Sequence, residues 1–111
     1  MSTSENGANV LHVQYIRCVN NAGFVMCFSV LDNDGREDGE TSNFPINQSH
    51  QVDLADLKFG DRPLEIGQPV RPQVMVVLGA TRQGPPVRYA PNGQTATFSV
   101  RGTTLSYDIS L

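Results

Sequence analysis

The feature that most restricts the fold is a period of two. Apolar residues alternate with polar ones along most of the chain, and turn residues interrupt the pattern about every ten positions. Phe24, Met26, Phe28 and Val30 alternate in this way, and so do Ala96, Phe98 and Val100. Side chains two apart share a face of a strand and not of a helix. Nowhere do apolar residues keep the three-and-four spacing for the ~12 residues of an amphipathic helix. The chain is therefore predicted to be all-β, an antiparallel two-sheet β-sandwich of the immunoglobulin-like or a related Greek-key kind, with roughly seven or eight strands. The immunoglobulin markers themselves do not occur. There is no tryptophan, and the two cysteines, Cys18 and Cys27, stand too close in sequence to bridge two sheets.

Val10 to Val19 reads as one strand, with Leu11, Val13, Tyr15 and Val19 on one face and His12, Gln14 and Ile16 on the other. Ala22-Gly23 then reads as a two-residue hairpin loop leading back along Phe24 to Val30, which sets Cys18 opposite Cys27. That register would permit a disulfide, but free cysteine commonly fills space as a small hydrophobe, and buried free thiols are expected. Phe44-Pro45-Ile46 is extended or an edge, because proline cannot donate to a ladder. A short strand from Gln51 to Leu54 precedes a helical turn ending near Gly60. Gln73 to Leu78, the most continuously apolar run, is predicted to be central and buried on both faces. Val87 to Ala90, Thr95 to Val100 and Thr104 to Leu111 form a closing meander, with Leu105, Tyr107, Ile109 and Leu111 turned inward. Gly67-Gln68-Pro69-Val70-Arg71 and Gly84-Pro85-Pro86-Val87-Arg88 share the pattern G-x-P-V-R, which reads as two strands begun by the same turn chemistry.

With 111 residues, 39% of them hydrophobic, the chain is one domain over residues 9–111 behind a polar, disordered tail at residues 1–8. A net charge of -3 supplies no cationic field for phosphates, so nucleic acid is excluded as a partner. No apolar run approaches the roughly 20 residues of a transmembrane segment. The N-terminus has no basic stretch leading into an apolar one, which points to a cytoplasmic or leaderless-secreted protein.

Asp32, Asp34, Glu37, Asp38 and Glu40 crowd five hard oxygen ligands into one loop, the chemistry that holds calcium. It is not an EF-hand: with Gly35 in the sixth position, Val30 falls in the first and Thr41 in the twelfth. The other reading is a solvated hairpin loop that keeps the chain soluble. His12 and His50 have no further ligand at metal spacing, and neither a nucleophile elbow nor a glycine-rich phosphate cradle occurs. No cofactor and no enzymatic activity are expected.

Arg82, Arg88 and Tyr89 surround a stiff Gly84-Pro85-Pro86 turn and are the candidate ligand-binding residues, since guanidinium and aromatic groups are enriched at interfaces. Ile16, Val25 and Leu31 add apolar surface beyond what one core uses. The expected function is a non-enzymatic recognition module or complex subunit, acting on a protein partner or on itself through loops and edge strands. The alternative is a lectin-like or toxin-component domain that binds a glycan or a membrane receptor, with calcium in the 32–40 loop.

Overall fold

The computed structural model describes residues 11–111. The tail expected over residues 1–8 lies outside the described residues, as do the first two positions of the domain. The described chain is all-β apart from one 3-10 turn.

The first predicted strand divides in two. Val13 and Ile16 are both buried, and residues an odd number of positions apart cannot share a face of one strand. The chain changes sheet at Gln14, where the N–H groups of Gln14 and Tyr15 both reach the carbonyl of Gln94, at 2.9 and 3.0 Å. Strand β1 (His12–Val13) joins one sheet and β2 (Tyr15–Asn20) the other. Along β2 the inward residues are therefore Ile16, Cys18 and Asn20, not Tyr15 and Val19.

The predicted hairpin between residues 15–20 and 26–32 does not form. Strand β3 (Met26–Asp32) belongs to the sheet of β1, so residues 21–25 carry the chain from one sheet to the other. Asn20 fixes that crossing. Its fully buried side chain donates from Nδ2 to the carbonyls of Phe24 (2.7 Å) and Phe44 (3.2 Å) and accepts at Oδ1 from Ala22 N–H (3.0 Å). Its own backbone pairs with Asn47 and Gln48. Cys18 and Cys27 consequently sit in different sheets, both buried and both free.

Beyond β3 come β4 (Glu37–Asp38) and β5 (Ser49–Asp53). Between them Phe44 makes an isolated bridge to Met26, the extended contact that Pro45 still allows. The helical turn is a single 3-10 turn, Leu54–Asp56, with Asp53 Oδ1 accepting from Ala55 N–H at 2.9 Å, and it ends short of Gly60. Leu54, Leu57, Phe59 and Leu64 join the core around it, Phe59 from within and Leu64 just beyond a ribbon of β6 (Lys58–Phe59) and β7 (Arg62–Pro63). Then follow β8 (Pro69–Val76), β9 (Thr81–Gln83), β10 (Val87–Tyr89), β11 (Thr95–Gly102) and β12 (Tyr107–Ser110).

The larger sheet runs β1-β10-β8-β3-β4, with β9 also on β8; the other runs β12-β11-β2-β5. Both are mixed rather than antiparallel, because β1 lies parallel to β10 and β2 parallel to β11. The cause is a shared crossing. Residues 12–20 and 87–102 travel side by side in the same direction and change sheets at the same level. There Ala90 N–H reaches Val13 O (2.9 Å) and Gln14 Oε1 accepts from Gly93 N–H (3.0 Å). The expected meander is thus reduced to the β11–β12 hairpin, and the described residues form twelve strands, several of two residues, where seven or eight were expected. The two G-x-P-V-R segments lie against each other, antiparallel, with Val70 opposite Val87.

Both sheets supply one core that includes Ile16, Cys18, Ala96, Phe98 and Val100 from one side and Met26, Phe28, Val30, Val74 and Val87 from the other. Strand β8 alternates in burial, whereas β3 is the strand covered on both faces. On the outer face of β3 the Ser29 hydroxyl donates to the Glu37 carboxylate. Gln73 Nε2 reaches the same carboxylate at 3.3 Å, and Gln83 Nε2 reaches Gln73 Oε1 at 3.4 Å. This polar ladder shields Ser29 across four strands. Among the described residues no helix is long and apolar enough to cross a membrane.

Candidate functional site

The three candidate binding residues do not form one site. Arg82 on β9 lies opposite Val74, and Arg88 on β10 lies opposite Pro69, five positions or roughly 17 Å further along β8. The Arg88 guanidinium donates to Gly67 O at 2.7 Å, and Tyr89 is buried in the core with its backbone bonded to Gly67 and Gln68. Both brace the loop before β8. Arg82 alone faces solvent, its guanidinium carbon 5.6 Å from the Tyr107 ring centroid, beside an open cleft of about 460 Å³ lined by Gln73, Thr81, Gln83 and Asp108.

The five clustered carboxylates are also distributed rather than convergent. Asp32 is buried and organises the β3–β4 turn by accepting at Oδ1 from Asp34 N–H (3.0 Å) and Arg36 N–H (2.8 Å). The Arg36 guanidinium stands 3.7 Å from Asp32 and 3.1 Å from Asp34. Glu37 serves the polar ladder, Asp38 accepts from Lys58 N–H at 2.9 Å, and Glu40 lies beyond β4. Among the described residues no group of three or more His, Cys, Asp or Glu could hold a metal ion. A cation inside the loop would have to displace Arg36.

Cys18 and His50 are cross-strand neighbours between β2 and β5, and His50 also stacks on Phe44 with ring centroids 4.4 Å apart. Nucleophilic catalysis requires a thiolate. Burial instead pushes the Cys18 thiol far above its ordinary value, so the pair holds a neutral, enclosed thiol. Cys27 is raised as well, by burial first and then by Glu40 and Glu37. Tyr107 is raised by burial against the opposing pull of Arg82. Each group keeps in the native state a proton that the unfolded chain gives up, Cys near its ordinary 9.0 and Tyr near 10.0. Their contribution is thus complete below pH 9 and lost as the pH rises through the raised native values. The melting temperature should fall steadily between pH 9 and about pH 10.5; a flat or rising profile there would contradict this burial chemistry.

The most distinctive surface is an end of the molecule where Leu78 and Leu105, both expected in the core, are exposed. Four segments meet there, residues 21–25, 44–48, 77–80 and 103–106. Val77 N–H bonds to Val25 O (3.0 Å) and Ala80 N–H to Thr104 O (2.9 Å), while Asn20 ties Phe24 to Phe44. The apolar run 73–78 leaves the sheet after Val76, and Leu78 takes a left-handed backbone, φ 58°, with its side chain 98% exposed. Leu105, predicted inward, sits 72% exposed in a loop closed by reciprocal bonds between Thr103 and Ser106. Gly79 makes the close approach of the two loops feasible, since a Cβ there would stand 2.6 Å from Thr104 O. Of the eight large apolar residues exposed on the described chain, five stand at this end: Val25, Ile46, Val77, Leu78 and Leu105. Of the three surplus apolar residues, only Val25 belongs here; Ile16 is in the core and Leu31 is buried on β3. The available signal was Gly79, which closes the apolar run and marks a turn just beyond the strand.

Tyr107 supports this end from within. Its hydroxyl lies 2.8 Å from Ala80 O and 3.1 Å from Val74 O, joining β12 of one sheet to β8 and its turn in the other, and its ring meets Phe24 edge-on at 5.4 Å.

No protein-family model matches the chain. No curated protein matches it either. Among solved structures it is similar to a protein from Eubacterium rectale determined by NMR, with 14% identity and a TM-score of 0.53 over 98% of this chain and 94% of the other. That likeness shows a shared fold. Pneumolysin (12% identity, TM-score 0.47) and listeriolysin O (15%, 0.47) are each matched over 86% of this chain, which spans only about a fifth of their length. At those scores neither likeness carries an argument about function.

Proposed function

We propose that the chain is a non-enzymatic binding module, a β-sandwich that recognises its ligand through the loops at the Leu78 end. The observation that carries this reading is Leu78 itself, an almost fully exposed leucine in a left-handed conformation. An L-residue held there costs about 1–2 kcal/mol, and exposing leucine to water forgoes about 1.5–3 kcal/mol of burial. Both costs fall on a residue whose loop is fixed by hydrogen bonds on either side, which fits an anchor presented for contact. In the larger sheet the edge strands are less suited to the role, since β1 and β4 are only two residues long and β9 three. The non-enzymatic part of the reading is supported by the enclosure of Cys18 and Ser29, both 0% exposed.

The test is a binding panel run on the parent and on the Leu78→Gly/Leu105→Ser double variant. Its arms are self-association by sedimentation velocity, phosphatidylcholine vesicles and immobilised glycans. Glycine relieves the left-handed strain, so the variant should melt no more than ~2 °C below the parent. At least one arm should bind the parent and lose the variant. If parent and variant behave alike in every arm, the module does not work through this end.

A further inference from the structure

Resting on the binding-module reading, we infer that the occupant of the Leu78 end is the surface of a lipid bilayer, with Leu78 and Leu105 as the inserting side chains. The first argument is charge. Residues 21–25, 44–48, 77–80 and 103–106 contain no Asp, Glu, Lys, Arg or His. Moving such a surface into a low-dielectric phase desolvates no ion. Within two positions of these segments the only permanently charged residues are Arg82, Arg101 and Asp108, and Arg101 is paired in register with Asp108. The rim is therefore slightly cationic, while the clustered carboxylates occupy the 32–40 region at the other end of β3.

The second argument is composition. Protein interfaces are anchored by Trp, Tyr and Arg, with Leu, Val, Ser and Thr under-represented. The exposed apolar residues of this end are Val, Ile and Leu, set among Asn, Gln, Ser and Thr. Aliphatic side chains that carry no charge can enter the acyl region below the headgroups without desolvating an ion.

The third argument is shape. Leu78 and Leu105 project from adjacent, mutually bonded loops and stand outside the lining of the Arg82 cleft, so a deformable phase can enclose them where a rigid partner would need a matching cavity. The bonds also fix the loops before contact, which lowers the ordering cost of insertion.

Flotation of the full chain with phosphatidylcholine vesicles tests the inference. The parent should rise with the vesicles, with little response to salt. The Leu78→Gly/Leu105→Ser variant should lose at least about tenfold in partitioning. Ile66→Ser, which removes an equally exposed apolar residue away from this end, should float like the parent. A parent that stays with the unbound protein, a double variant that floats undiminished, or an Ile66→Ser protein that loses flotation equally would each overturn the inference. If vesicles fail while self-association or glycan retention depends on Leu78, the lipid assignment falls and the binding module stands. If no arm depends on Leu78, both fall.

Discussion

At neutral pH the Asn20→Asp protein should be less stable than the parent by about 3–5 kcal/mol, and most of that difference should disappear below about pH 4. Asn20 is suited to its position because an amide donates and accepts at once. It gives two N–H bonds, to Phe24 O and Phe44 O, and takes one from Ala22. A carboxylate keeps the acceptor function but sets two lone-pair-bearing carbonyls against a buried anion. Burial and those carbonyls both favour the protonated acid, so the folded-state pKa of the new group is raised. The penalty is absent below the unfolded value of about 3.9, grows as pH rises above it and levels off past the raised folded value. Urea denaturation of both proteins at pH 7 and pH 4 measures it. A gap under ~1 kcal/mol at pH 7, or one that does not shrink in acid, would mean that Asn20 does not hold the crossing as described.

The Gly102→Ala protein should lose on the order of 3 kcal/mol, or roughly 10–15 °C in melting temperature. Gly102 closes β11 at φ 130°, a conformation that residues with a Cβ rarely adopt, and an added Cβ would stand 2.5 Å from Ser106 O and 2.6 Å from Tyr107 Cα. Neither atom can step aside, because both are backbone, Ser106 in the loop carrying Leu105 and Tyr107 at the start of β12. Gly93→Ala supplies the comparison. Gly93 also has positive φ, 74°, but nothing lies within 4 Å of its added Cβ. It should cost about 1 kcal/mol, the conformational part alone. Equal losses at the two positions would remove crowding as the cause at Gly102.

Burial phase was legible in the sequence along β3 and β11 but not along β8, whose run was expected to be covered on both faces and alternates instead. Met26, Phe28 and Val30, and Ala96, Phe98 and Val100, point inward as their alternation predicts. Pairing was not legible, because the same turn residues serve a hairpin and a passage between sheets. Ala22-Gly23 looks like a hairpin loop, and it is the buried amide of Asn20, not the turn itself, that fixes the passage. The change of sheet at Gln14 did leave a trace, since Val13 and Ile16 cannot both face inward on one strand. The candidate residues Arg88 and Tyr89 were chosen for chemistry that suits interfaces, and the fold uses that chemistry internally. Leu78 and Leu105 carried the opposite error. An apolar side chain on an apparent strand reads as core, and a left-handed backbone at Leu78 has no counterpart in period two.

The parallel pairing of β2 with β11 has a consequence for how the chain is made. Tyr15 finds its partner in Thr95, so β2 waits for β11, about 80 residues later in synthesis. Until then β2 has only β5 beside it, and the Gln14 crossing lacks the Gln94 carbonyl that receives its two N–H groups. Pairings this distant in sequence make for slow folding, with strand edges open meanwhile. The late strand is also interior, with β2 on one side and β12 on the other. A ribosome stalled before residue 95 therefore holds a chain lacking β11 and β12, half of this sheet, with one edge of β2 open, and stopping synthesis there should yield a substrate for chaperones or proteases instead of a shortened domain.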